Sequence, residues 1–194
     1  MAIYDEILTK GIRAGQVPAQ TQKARDWYRD TAKTFSSASE ASVHGKDRMT
    51  RQPVIGNMYF FNYKAKHAET LPYYDRFPLI FPVNRVKGGF YGINMHYLPL
   101  QLRAKLMDAL YEVANNKRFD ESTKLKVSYQ VLKSASDMEY FKPCFKRYLT
   151  SHVKSRFIYV YPSEFDIALF LPLESFQGAN KTTVWKDSKK ILGI

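Results

Sequence analysis

The chain has 194 residues, 45% of them hydrophobic and 15% aromatic, enough apolar material for one globular unit with a real core. Thirty Lys and Arg against 18 Asp and Glu give a formal charge of +12, which favours a polyanionic partner, above all nucleic acid. Cys144 is the single cysteine, so an intramolecular disulfide and a thiolate metal cage within one chain are both excluded.

The basic excess is spread along the chain. Nine basic residues face six acidic ones up to position 55, nine face four from 56 to 118, and twelve face eight beyond that. A folded body with a basic face fits this better than a neutral domain with a disordered basic tail. The opening Met1-Ala2-Ile3-Tyr4-Asp5-Glu6 lacks the order of a signal peptide. The longest apolar run, Ile167 to Leu173, falls far short of the roughly 18 residues that cross a membrane. Neither secretion nor a membrane partner is expected.

In chain order, residues 1–20 read as an arm, because Gly11, Gly15 and Pro18 interrupt a helix after its first turns. From Thr21 to Phe35, the residues Ala24, Trp27, Tyr28, Thr31 and Phe35 form one stripe of an amphipathic helix, with Lys23, Arg25, Arg29 and Lys33 off it. Residues 36–53 are polar and turn-rich, a linker that completes an N-terminal arm over 1–53, with an α+β core domain over 54–194.

The core opens with short β-rich runs at 57–63, 77–83 and 90–95, divided by turns such as Gly88-Gly89. They predict a small, bent antiparallel sheet or barrel around 56–97, packed with helices. Pro78 and Pro82 make the middle run an edge or bulged strand. Pro99 opens a helix to about Asn116, with Leu102, Leu106, Leu110 and Val113 on the buried face and Arg103, Lys105, Asp108 and Glu112 opposite. Phe141, Cys144, Phe145, Tyr148 and Leu149 recur at helical spacing and predict a helix over 137–152. A strand is expected over 155–161. A capped helix starting at Ser163 and Asp166 should stop before Pro172, and the basic tail from Lys181 reads as a strand or docking segment.

None of this carries a catalytic signature. His44, His67, His96 and His152 lack metal-ligand spacing, Gly88-Gly89 with Gly92 lacks the context of a phosphate loop, and Cys144 fits a small buried hydrophobe. Asp166 with Asp187-Ser188-Lys189 is the one arrangement that a divalent cation and a phosphodiester would suit, against a solvated charged tail. No catalytic residue, metal or cofactor is assigned. The aromatics from Tyr59 to Tyr97 are interleaved with Lys64, Lys66, Arg76, Arg85 and Lys87, the mixture that nucleic-acid binders use for stacking and charge neutralisation. Lys23, Arg25, Arg29, Lys33, Lys64, Lys66, Arg85 and Lys87 are therefore the candidate DNA-binding residues.

Met58-Tyr59-Phe60-Phe61-Asn62-Tyr63, the run Leu71 to Ile80, and Gly92-Ile93-Asn94-Met95-His96-Tyr97-Leu98-Pro99 resemble a family of virion proteins of contractile-tailed, T4-like bacteriophages. Phe165 to Pro172, Phe176-Gln177-Gly178-Ala179-Asn180 and Val184-Trp185 extend the resemblance, which covers about residues 21 to 190. It is to the DNA end protectors, and it implies a non-enzymatic protein of the virion, assembled in the host cytoplasm. The implied partners are double-stranded DNA ends and other phage structural proteins at the head-to-tail region. A baseplate or tail-hub subunit that binds only proteins, and a metal-dependent head-completion nuclease, are the rival readings.

Overall fold

The computed structural model describes residues 3–13, 21–29, 48–114 and 139–194. Its centre is a six-stranded sheet in the order β1 (Met49–Thr50), β7 (Phe157–Val160), β2 (Met58–Phe60), β4 (Leu79–Val86), β5 (Gly89–Asn94), β6 (Phe145–Leu149). Each neighbouring pair is antiparallel. A two-stranded ribbon, β3 (Tyr74–Asp75) with β8 (Phe176–Gln177), stands apart from it. The fold is α+β as expected, and the sheet is open: its outer strands β1 and β6 do not pair, so the barrel alternative does not hold.

Alternation along the strands sorts the side chains to two buried faces. One carries Met58, Phe60, Leu79, Phe81 and Ile93 against the helices. The other carries Tyr59, Phe61, Ile80, Phe90, Tyr148 and Phe157, a nearly all-aromatic cluster. On a flat sheet β5 and β7, three strand spacings apart, would be separated by about 14 Å. The rings of Phe90 and Phe157 are nevertheless 5.7 Å apart, so the sheet curls around this cluster. β4 is an interior strand, and the two prolines do not put it at an edge. Its irregularity is absorbed by a register shift between Pro82 and Asn84, the bulge that a missing amide favours.

The helices are α1 (Ile3–Arg13), α2 (Gln22–Trp27), α3 (Leu100–Ala114), α4 (Phe165–Phe170) and α5 (Lys181–Leu192). Parts of the expected arm lie on the chain's own body. Tyr4 and Leu8 of α1, and Ala24 and Trp27 of α2, are buried in the helix-side core, and Met49–Thr50 pair with β7. α1 runs through Gly11 because packing outweighs the roughly 1 kcal/mol cost of a helical glycine. Tyr28, assigned to the same stripe, is exposed, and Thr31, Phe35 and most of the 36–53 linker lie outside the described residues.

Four sequence expectations are corrected. Residues 139–152, the described part of the helix expected over 137–152, form no α-helix: a 3₁₀ segment over Glu139–Cys144 leads into β6 and a second 3₁₀ turn over Thr150–His152. Pro143 offers no amide, and β5 has an open edge that Phe145 to Leu149 complete, with Tyr148 stacked on Phe90 at 5.5 Å. The tail is a helix, not a strand: Asn180 accepts from the Thr183 amide at 2.9 Å, and Val184, Ser188 and Leu192 form its buried stripe. Arg103 and Asp108, assigned to a solvent face, are buried. The helix before Pro172 does end in time, at Phe170, but it is preceded by a 3₁₀ turn over Pro162–Glu164, and the start of that turn is closed by Glu164, which accepts from the Tyr161 amide at 3.1 Å, in place of a box of Ser163 and Asp166.

Candidate nucleic-acid interface

One end of the sheet gathers most of its unpaired positive charge. Three segments meet there: 62–68, 84–90 around the Lys87-Gly88 turn, and 146–156 after the start of β6. They contain eight Lys and Arg and no Asp or Glu. Backbone bonds fasten the segments together: Lys64 donates to the His152 carbonyl at 3.1 Å, Lys154 to the Asn62 carbonyl at 2.8 Å and Thr150 to the Gly88 carbonyl at 3.0 Å. The Arg147 guanidinium donates to the Lys87 carbonyl at 3.3 Å, and the Tyr63 hydroxyl accepts from the Leu149 amide at 3.2 Å. Lys64, Lys66, Arg85, Lys87, Arg147, Lys154 and Arg156 are exposed, and Lys146 is half-buried. Among the described residues none of the eight pairs with a carboxylate, so their field is directed at solvent.

The close joint between β5 and β6 depends on Gly89. A Cβ there would lie 1.9 Å from the Tyr148 carbonyl oxygen, so this crossing admits no side chain and sets how Lys146 and Arg147 are presented beside the hairpin.

Beside this face opens a cavity of about 600 Å³ lined by Tyr63, Tyr73, Tyr74, Tyr97 and Tyr148, with Lys66, Lys146 and Arg147 on its basic side. The Lys146 ammonium lies 4.2 Å from the centroid of the Tyr97 ring, and burial holds its pKa below the ordinary lysine value. Burial also raises the hydroxyl pKa values of Tyr63, Tyr73, Tyr97 and Tyr148, so these rings remain neutral donors and acceptors at physiological pH. Cys144, next to Lys146 in sequence, has its thiol pushed up to about 12 by burial and is inert, as a small core residue should be.

A buried polar network supports the cavity floor. Asp75 accepts from His96 Nδ1 at 2.7 Å, from Asn94 Nδ2 at 3.0 Å and from the Phe77 amide at 3.1 Å. Burial alone would raise its pKa, but the His96 charge and these bonds hold it below the usual carboxylate range. Asn94 also caps the 3₁₀ turn Met95–Tyr97 by accepting from the His96 amide at 3.0 Å. Behind it, Arg103 donates to the carbonyls of Leu98 at 2.7 Å, Leu169 at 3.0 Å and His96 at 3.3 Å, and forms an ion pair with Glu174. Trp185 of α5 donates to the same His96 carbonyl at 2.9 Å. One arginine thus ties α3, α4, the turn before α3 and the approach to β8.

Of the residues singled out in the sequence, Lys64, Lys66, Arg85 and Lys87 come together at this end. Lys23, Arg25 and Arg29 are on or just beyond α2, which packs against α4. There Lys23 lies 3.9 Å from Asp166, Arg25 donates to Gln22 Oε1 at 2.9 Å, and Arg29 pairs with Asp26 at 3.1 Å. Lys33 lies outside the described residues. The sequence does not single out Lys146, Arg147, Lys154 and Arg156: the first two fall in the stretch expected as a helix, and the other two join this face only through the Lys154–Asn62 and neighbouring backbone bonds. The open edge strand implied by the aromatic run 145–149 was the available signal. Asp166 and Asp187 sit on separate helices with separate partners, Lys23 and Tyr73. Among the described residues no three His, Cys, Asp or Glu side chains are grouped to hold a metal, and no helix is long and apolar enough to cross a membrane.

No curated protein and no solved structure matches the chain. A family model does, that of the Phage T4 terminal DNA protecting protein, over residues 5–191. That span takes in α1, both sheets and α5, and with them the whole basic end and the cavity. The chain belongs to this bacteriophage family of terminal DNA protecting proteins.

Proposed function

We propose that the chain binds the end of packaged phage DNA through the basic end of its sheet and shields that end without turning anything over. The observation that carries this is the set of eight cations with no acid in segments 62–68, 84–90 and 146–156, stitched together by backbone bonds. Such a face of exposed Lys and Arg neutralises phosphates, the contacts that position DNA without reading its sequence. Shielding an end needs affinity and bulk, and a curled sheet backed by helices on one face supplies the bulk. In this reading the protein resides in the virion, assembled in the host cytoplasm, with other phage structural proteins as neighbours. Lys23, Arg25, Arg29 and Lys33 would add at most a secondary contact, since the described three already engage side chains nearby.

The test is protection of linear duplex DNA from a processive exonuclease. Wild-type protein should slow digestion, and the variant with Lys64→Glu, Lys87→Glu, Lys154→Glu and Arg156→Glu should not, at an unchanged far-UV spectrum. Replacing Arg25 and Arg29 by Glu should leave most of the protection in place. Equal protection by the four-site variant would remove the basic end from the function.

A further inference from the structure

The tyrosine-lined cavity differs in kind from the basic face it adjoins. About 600 Å³ lies within the ~300–1,000 Å³ range of ligand pockets and is far too small to admit a duplex, whose grooves alone are about 12 and 6 Å wide. A single nucleotide fits the volume and the lining. The rim Leu71-Pro72-Tyr73 offers apolar and aromatic surface, with Leu71 and Pro72 exposed and Tyr73 half-buried. Tyr73 and Tyr97 are 6.1 Å apart, centroid to centroid. Lys66, Lys146 and Arg147 in the same lining supply charge for a phosphate, and these three also belong to the basic face, so a DNA backbone bound there leads into the cavity along its own cations. The carboxylate in the lining, Asp75, has both oxygens occupied by His96, Asn94 and the Phe77 amide, and Asp187 is engaged with the Tyr73 hydroxyl.

The walls are preformed. β3 and β8 hold Tyr74 against Gln177, whose Oε1 accepts from the Tyr74 hydroxyl at 3.1 Å. Gly178, at φ +93°, brings its backbone so close to the rim that a Cβ would lie 2.5 Å from the Pro72 carbonyl oxygen. A site that needs no ordering on binding keeps more of its contact energy as affinity.

The geometry points to this cavity as the receptor for one unpaired terminal nucleotide of the DNA. Its base lies against Tyr73 and the Leu71-Pro72 rim, and its phosphate against Lys66, Lys146 and Arg147. This rests on the end-binding reading above and adds how an end is told from the interior of a duplex: only a terminus offers a nucleotide free to leave the stack. Base–aromatic stacking is sequence-tolerant, as a protector of ends requires.

The test compares three labelled duplexes of one sequence by fluorescence anisotropy: blunt at one end, carrying a three-nucleotide single-stranded tail at that end, or closed by hairpin loops at both ends. A free mononucleotide serves as competitor. The tailed duplex should bind at least tenfold more tightly than the closed one, with the blunt duplex between them. Lys66→Gln with Arg147→Gln, or Tyr73→Ala, should erase the advantage of the tail over the blunt end. Lys87→Gln with Lys154→Gln, which removes the same charge outside the cavity, should weaken all three duplexes alike. If blunt beats closed but the tail adds nothing and the cavity variants match the charge control, the cavity inference falls while end binding stands. If all three duplexes bind equally, end binding falls and the inference with it. A mononucleotide that competes as well as the tailed duplex would reassign the cavity to free nucleotides and overturn the inference.

Discussion

Arg103 shows how far one residue can depart from its pattern. Its spacing puts it with Lys105 on a polar face, yet it is fully buried, with three carbonyls and Glu174 around it. Helical periodicity reports which face is apolar, but it does not reveal that a neighbouring loop will bring a carboxylate and orphan carbonyls onto that face. Asp108 was misplaced for the same reason: its oxygens accept from the Tyr4 and Asp5 amides at 2.7 and 3.1 Å, capping α1 from about a hundred residues away in sequence. Removing one partner of a buried pair strands the other. Glu174→Gln is therefore expected to cost about 3–5 kcal/mol in denaturant unfolding, and a loss below about 1 kcal/mol would mean that the carbonyls alone satisfy Arg103.

The same buried groups set the acid limit. Burial opposes the charged forms of Asp75 and Glu174, but His96 beside the one and Arg103 beside the other hold both below the ordinary carboxylate range. Each folded-state pKa is depressed, so the unfolded chain binds more protons as pH falls. The stability these groups contribute is complete above about pH 4 and is lost as pH drops through their folded values. Unfolding free energy should fall steeply from about pH 4 downward, and Asp75→Asn should make that fall shallower.

At the scale of elements, the sequence was readable where periodicity and local chemistry agreed. The strands at 58–60, 79–86 and 89–94, the Lys87-Gly88 turn and helix α3 all stand close to where alternation, glycine and Pro99 place them. β6 was not readable, because Phe141, Cys144, Phe145, Tyr148 and Leu149 match a helical stripe. Their fate is decided by β5, some fifty residues earlier, whose open edge accepts them. Gly89 is the local mark of that pairing. With its Cβ position 1.9 Å from the Tyr148 carbonyl oxygen, Gly89→Ala should force β5 and β6 apart and destabilise by about 1–3 kcal/mol or more. Amide exchange would rise first in 145–149. Unchanged protection there would show that the two strands can separate without cost.

At the scale of the molecule, net charge and aromatic content announced a basic α+β body, but neither could say where the charge faces. Half of the eight candidates meet at the hairpin end. Their companions Lys146, Arg147, Lys154 and Arg156 became visible only once β6 and the 3₁₀ turn after it were folded against Lys64 and Lys87. The central claim is that this end binds DNA termini through phosphate contacts. The most direct measurement is affinity for one DNA in linear and in covalently closed circular form, at roughly 50 and 200 mM salt. With most of the eight cations engaged, binding to the linear form should be the tighter at both salts, and should fall about a thousandfold or more between them. Affinity that is equal for the two forms, or indifferent to salt, would contradict the account.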